Sequence, residues 1–292
     1  MESIWNDIVD LLPIAAIFSA FAAVELIAGK FRQDKARKQD RWMEMISVIA
    51  APGIIAPSIL LVGGLATEAL VPGSANSLAD LAWPVWVLLF LVGDDMTQYW
   101  WHRASHSTPY LYGLHRAHHE ARYMSIRMVY RNNVLYYAML PGLWVSSVLI
   151  HLGGETVYAG YAVVKLAVIF GAHSSVRWDA PLYRIKALSP LMWVVERVIS
   201  TPATHSAHHG LHADDGVTNY KGNFGNLLFF WDVLFGTAKI TRHYPEAYGV
   251  ENLKPVHWLR LQFWPAMPEP QIEQQHPDGN SAALDPRLRA RA

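Results

Sequence analysis

DDMTQYWWHRASHSTPYLYGLHRAHHE, from Asp94 to Glu120, is the stretch on which the reading of this chain turns. It holds five of the fourteen histidines, spaced HxxxH at His102 and His106 and HxxHH at His115, His118 and His119. A third cluster, THSAHH, repeats the HxxHH spacing at His205, His208 and His209. On an α-helix, positions i, i+3 and i+4 share a face, so each cluster is expected to turn its imidazoles toward one centre. Thr108-Pro109 and Thr201-Pro202 read as an N-cap followed by proline at the first helical position, starting a helix ahead of the second and third clusters.

A lone histidine is more often a surface or core residue than a ligand. Eight in three one-face clusters reverse that expectation, because charged they would repel and neutral they make poor apolar filler. Imidazole suits iron, zinc and copper, and eight ligands exceed the roughly four to six that one first-row ion takes, so two metal ions are expected. The zinc-protease motif HExxH is absent, and no cluster contains the glutamate that mechanism uses. Cysteine is absent as well, which excludes disulfides and thiolate ligands and leaves nitrogen and oxygen to hold any metal.

Of the 292 residues, 52% are apolar and only 16% charged, an oily balance for a soluble protein. Mean hydropathy is nevertheless just +0.13, so a membrane part must be joined to a substantial polar part. The formal net charge is zero, which argues against nucleic acid as a partner. The N-terminal MESIWNDIVD lacks a basic n-region and is not read as a cleavable signal peptide.

Apolar stretches suggest membrane spans at about 11–29 (interrupted by Glu25), 46–66, 81–101, 132–154 and 156–172, four or five crossings in all. Between the first two lies a basic run with Lys30, Arg32, Lys35, Arg37, Lys38 and Arg41, which marks the cytoplasmic side. Arg103, Arg116, Arg122, Arg127 and Arg131 surround the histidines and point the same way. The expected fold is therefore all-α: a polytopic membrane helical domain over 1–264, with a cytoplasmic helical cap (102–131 and 173–264) carrying a di-metal site. A multi-pass protein of the bacterial inner membrane is expected rather than one of the ER. The tail 265–292, rich in Pro, Gln and Arg, is expected to be disordered.

Outside the clusters, His151 falls at the far end of an outward span and is expected to bind no metal. His243, His257 and His276 read as surface residues. Asp95, two helical turns before His102, is either a carboxylate that orients an imidazole from a neighbouring helix or an interfacial cap. Ionisable groups at membrane depth normally face the interior and pair, so Lys165 is expected to pair with Asp94 or Asp95. In Trp231–Thr237 the expected role is packing, with Asp232 capping or bonding backbone.

Taken together, DMTQYWWHRASH (95–106), LHRAHH (114–119), TPATHSAHHG (201–210) and NFGNLLFFWDVLFGT (223–237) resemble the fatty acid hydroxylase / sterol desaturase superfamily of membrane di-iron oxygenases. The nearest likeness is to its alkylglycerol monooxygenase-like or bacterial sterol desaturase-like branch. The resemblance implies a helical membrane domain under a cytoplasmic cap, two irons (zinc as a substitute in purified protein), O₂ as co-substrate, and an external electron donor. Carried over by position, it implies as ligands His102, His106, His115, His118, His119, His205, His208 and His209. His173, in GAHSSVRW, matches a further family histidine at the cytoplasmic end of a later span.

Two departures stand out. The family's NYG reads Asn223-Phe224-Gly225 here, losing a phenol hydroxyl, and the stretch after His209 is longer and contains His212, Asp214 and Asp215. His212 is left open between completing the ligand set and sitting on a loop. The function this implies is hydroxylation or desaturation of a lipid-like substrate such as a fatty acyl, sterol, ether lipid or carotenoid. Trp83, Trp86, Trp100 and Trp101 would line its route or anchor the interface. Without haem-domain, GxGxxG or iron–sulfur signatures, electrons are expected from a ferredoxin, cytochrome b5 or reductase-type partner. A zinc-dependent membrane hydrolase and a non-catalytic membrane protein with a structural metal site are the alternatives.

Overall fold

The computed structural model describes residues 2–33, 38–253 and 256–267. Among them there is no strand, only isolated bridges between Ile199 and Leu228 and between Gly210 and Tyr248. The all-helical expectation therefore holds.

The apolar first segment forms α1 (Glu2–Ile27) and ends at Gly29, whose φ of 68° is the left-handed conformation that closes helices cheaply. After it, α2 (Lys38–Ala50) runs through a wide π-helical turn at Ala51–Ile55 into α3 (Ala56–Leu70). Pro52 and Pro57 lie within this run without ending it. Asp40–Leu70 is one of two segments among the described residues long and apolar enough to cross a membrane; Val134–His173 is the other, while the apolar Leu12–Ile27 is shorter.

Val134–His173 is not a straight rod, and the expected span 132–154 is broken. A one-turn helix at Val134–Ala138 stops before Leu140, which is extended (φ −64°, ψ 109°) because proline at 141 disfavours a helical residue ahead of it. From Pro141 a new helix runs to Leu149 (α7), and Gly153, at φ 118°, reverses the chain into α8 (Glu155–His173). No side chain fits at that reversal, since a Cβ on Gly153 would lie 2.8 Å from the Ala79 backbone.

The third apolar stretch forms α4 (Trp83–Phe90), a π-helical turn at Leu91–Met96, and α5 (Thr97–Ser107) as one helical run. The extra residue in such a turn rotates the positions within it, and both Asp94 and Asp95 are buried. α5 packs against α6 (Pro109–His119), α8 against α1 and α3 against α7. The last contact is close: a Cβ on Gly63 would meet the Ser147 hydroxyl at 1.9 Å. Further on come α9 (Ser189–Val198), α10 (Pro202–His208), α11 (Phe230–Leu234) and α12 (Trp258–Phe263).

Buried carboxylates tie the N-terminal helices to the histidine-bearing part. Glu25, the one charge in the first apolar stretch, accepts hydrogen bonds from Ser125 Oγ (2.6 Å) and from the backbone N–H of Ile126 (3.2 Å) and Ser175 (2.8 Å). Asp40 pairs with Arg131 at 2.8 Å, and Glu44 meets Tyr123 and Arg127. Each charge is matched, as burial requires. Outward, by contrast, Leu61, Leu65 and Leu88 are all at least 60% exposed, an apolar surface that suits contact with lipid. Of the tail, 265–267 form a turn; 268–292 (with His276) and 34–37 of the basic run lie outside the described residues.

Candidate metal centre

Nine histidines converge in two adjacent groups. His102, His106, His115, His119 and His208 form one, and His118, His173, His205 and His209 the other; within each, ligand-capable atoms all lie within 4.8 Å of one another. Thr108, extended at φ −120° and ψ 120°, turns α5 back into α6, so the HxxxH and HxxHH clusters face each other. Thr108 makes no side-chain cap, whereas Thr201 forms a reciprocal capping box with Thr204 and so starts α10 where expected.

The expectation that each HxxHH cluster serves one centre is corrected. At about 100° per residue, His118 and His119 point about 100° apart on α6, while His115 and His119 differ by only about 40°. His115 and His119 therefore join the five-histidine group and His118 the other. α10 does the reverse, with His208 in the first group and His205 and His209 in the second. Each HxxHH cluster straddles both groups, whose rings touch where His119 stacks on His209 at 4.4 Å.

The outer nitrogens are committed. His102 Nδ1–H donates to the Phe224 carbonyl (2.8 Å), His208 Nδ1–H to Gly222 (2.7 Å), His118 Nδ1–H to Met128 (3.1 Å) and His173 Nδ1–H to Ile169 (2.8 Å). His115 Nδ1–H donates to Asn132 Oδ1 at 2.7 Å, and Asn132 Nδ2 in turn donates to the Tyr137 hydroxyl. A neutral imidazole has one N–H, so each of these rings turns a bare Nε2 lone pair inward.

Yet those inner nitrogens almost touch: His102 and His208 Nε2 are 3.0 Å apart, and His118 and His173 Nε2 3.4 Å. With both Nδ1 atoms already donating, no proton is left to bridge either pair. Protonation is no remedy, for burial pushes His102 down to about 4. Burial, aided by the charges of neighbouring imidazoles, holds His106, His115, His118, His119, His205, His208 and His209 well below the usual histidine range. His209 has no hydrogen-bond partner for either ring nitrogen. Lone pairs aimed at one another in a dry site need a cation between them, so the donor set fits a metal ion in each group.

The other candidates are placed as follows. Asp95 meets no imidazole: it accepts from the backbone N–H of Leu227 (3.2 Å) and Leu228 (3.1 Å) and from Trp231 Nε1 (2.8 Å). It clamps the segment that presents the Phe224 carbonyl to His102, so its effect on the site is indirect. Asp232 bonds the backbone N–H of Phe224 and Gly225, as expected, and accepts from the Thr237 hydroxyl. Lys165 pairs with Asp94, as expected. His151 bonds Ser74 and Glu68, and His212 bonds Glu251 at 2.6 Å; neither joins a group. His257 caps α12, and His243 is exposed.

Phe224, in place of a tyrosine, puts its ring 5.4–5.6 Å from those of His106, His208 and His102. Sequence reasoning missed Asn132 and the backbone carbonyls of Met128, Ile169 and Gly222. Asn132 sits in an unremarkable RNN, and a carbonyl carries no sequence signal at all.

Residues 87–237, which include all nine histidines, match the fatty acid hydroxylase family. The chain belongs to this family. It is 32% identical over 159 residues to alkylglycerol monooxygenase of Danio rerio and 30% identical over 159 residues to that of Homo sapiens. Each of these alignments covers 54% of the chain but only 31% of the relative. To a very-long-chain aldehyde decarbonylase of Oryza sativa subsp. indica it is 29% identical over 171 residues, 52% of each protein. The chain thus spans about a third to half the length of these relatives. No solved structure matches it.

Proposed function

We propose that this protein is a membrane-bound non-haem di-iron oxygenase that uses O₂ and external electrons to hydroxylate or desaturate a lipid-like substrate. One observation carries the metal site: inward Nε2 lone pairs 3.0 Å apart on His102 and His208, with both Nδ1 atoms already donating. The five histidines of the first group would hold one ion and His118, His173, His205 and His209 the other. Two irons bound there would supply reductive activation of O₂ and attack on an unactivated C–H bond. The protein's part is to hold nine neutral imidazoles together, five of them with their Nδ1–H committed to acceptors, to exclude water and to bring the substrate alongside.

The relatives support a lipid substrate, since their names describe an alkylglycerol monooxygenase and a very-long-chain aldehyde decarbonylase. The apolar runs would lie in the bilayer, with the histidines on the cytoplasmic side among Arg103, Arg116, Arg122, Arg127 and Arg131. A ferredoxin, cytochrome b5 or reductase-type protein would dock there to deliver electrons.

The test is metal analysis of anaerobically purified protein, with O₂ uptake measured on adding a reductase system and lipid. About two irons per chain with lipid-coupled uptake is expected. Zinc with turnover that needs no reductant would overturn the reading in favour of a hydrolase, and metal without turnover on any lipid would leave a structural staple.

A further inference from the structure

The five-histidine group has a cavity of its own. It is small, about 20 Å³, and His106 and His119 line it together with Tyr112, Gly210, Gly249 and Val250. The Nε2 atoms of those two histidines are 3.1 Å apart, and His119 Nε2 is also 3.1 Å from His115 Nε2. A water needs roughly 10–15 Å³ of such space, so the cavity admits about one water-sized group.

Helical spacing builds one wall. Tyr112, His115 and His119 are spaced i, i+3 and i+7, which places them within about 60° of one another around α6. Tyr112 thus stands on the stripe that presents both α6 histidines of this group, and its ring lies 6.0 Å from that of His106 on α5. A second wall comes from two segments bonded to each other. Gly210 bridges Tyr248, Leu211 N–H donates to the Ala247 carbonyl (2.9 Å), and Gly249 N–H donates to that of His209 (3.2 Å). The last bond ties this wall to the histidine clusters.

Two capacities are left over here. Tyr112 Oη is buried and has no hydrogen-bond partner among the described residues, a costly state for a polar group. Glu251, also in the wall, bonds His212 at 2.6 Å and not the phenol. The second capacity is the ion's, since five imidazoles leave about one of the roughly six positions a first-row metal can fill. A donor without an acceptor and a metal site with room for one more ligand share a single water-sized cavity.

We propose that this cavity is the exogenous-ligand position of the five-histidine group and that Tyr112 donates a hydrogen bond to its occupant. The ligand class is one small group with a free lone pair: water, hydroxide or a small anion such as azide. Tyr112 is a positioning residue, holding and orienting what the ion binds. The inference rests on the metal reading of this group, and not on which metal it holds or which lipid it serves.

The test is azide binding to the purified holoprotein, followed through the infrared stretch of bound azide, which reads the ligand on iron and on zinc alike. The wild type should show a stretch that shifts in D₂O, because the phenol proton exchanges. In Tyr112→Phe that shift should vanish and azide should bind about tenfold more weakly, with metal content and thermal midpoint unchanged. A shift that persists in Tyr112→Phe, or is lost instead in Tyr220→Phe on the same cavity, overturns the role of Tyr112. If Tyr112→Phe loses metal, Val250→Trp decides: filling the cavity should abolish azide binding, and undiminished binding overturns the site. Wild-type holoprotein that binds no azide overturns it as well. Zinc in place of iron, with azide bound as expected, would overturn the oxygenase reading alone. Iron with lipid-coupled O₂ uptake, and azide binding that no variant alters, would overturn this inference alone.

Discussion

Lys165 Nζ donates to Asp94 Oδ2 at 2.6 Å, joining α8 to the helical run that carries His102. Each partner precedes a histidine by eight residues (173 − 165 and 102 − 94), about 12 Å along a helix. Tyr161 adds a second hydrogen bond to the same carboxylate oxygen at 3.0 Å. The pair therefore links a helix of the five-histidine group to a helix of the four-histidine group. Removing one member of a buried pair costs roughly 3–5 kcal/mol, because the other is left buried and unmatched. Lys165→Met should lower the thermal midpoint by on the order of 10 °C. The double variant Asp94→Asn/Lys165→Met should recover much of that loss, and an unchanged midpoint in the single variant would show that the pair bears no weight.

The two groups differ in what they can lose. His205→Ala leaves three ligands in the four-histidine group, and metal content should fall from about two ions per chain to about one. His208→Ala still leaves four in the other group, so its ion should be retained with weaker affinity. His151→Ala and His212→Ala should keep both ions, as each is bonded elsewhere. Elemental analysis after size exclusion checks all four; metal loss in His151→Ala would refute the assignment of the groups.

Asn132 fixes the tautomer of His115 through Oδ1. Replacing it with leucine removes that acceptor and frees the ring to flip. A loss of about 10- to 100-fold in metal affinity is expected, with helical content intact by circular dichroism. Chelator competition measures it, and unaltered affinity would remove Asn132 from the site.

Asp95 receives two backbone N–H groups and one indole N–H in a buried setting. Asp95→Ala leaves two buried donors, Leu227 N–H and Trp231 Nε1–H, and the half-buried Leu228 N–H without their acceptor, at roughly 1–3 kcal/mol for each buried donor before relaxation. Both stability and metal retention at the His102/His208 pair should fall, because the segment presenting the Phe224 and Gly222 carbonyls loosens. Normal metal retention in a destabilised variant would restrict Asp95 to a purely structural role.

Much of the site was legible because its residue type is rare and its spacing regular. Nine histidines expected as ligands are the nine the fold gathers, and Thr201-Pro202 starts its helix with the expected cap. The ion pair of Lys165 followed from the cost of leaving a charge alone among apolar residues. The break at Leu140 within 132–154 was not legible, because hydropathy records the absence of charge and not the extended residue that Pro141 imposes there. Nor did Asp95 touch an imidazole: its distance along one helix said nothing of the 223–235 segment that arrives to take its oxygens.

The sequence by itself determined the helical class, the set of imidazoles and the absence of thiolates, which depend on composition and on spacing along one helix, while the family was legible only through the resemblance of its motifs. The tertiary structure alone decided which imidazoles share a group. Within α6 the 100° between His118 and His119 permits either assignment; what selects one is the approach of α5 on one side and of α8 on the other, with α10 reaching both groups. Backbone carbonyls from distant segments then commit the outer nitrogens and leave the inner lone pairs face to face. The His102–Phe224 and His102–His208 contacts join residues more than a hundred positions apart, and helical periodicity relates only neighbours within a few turns.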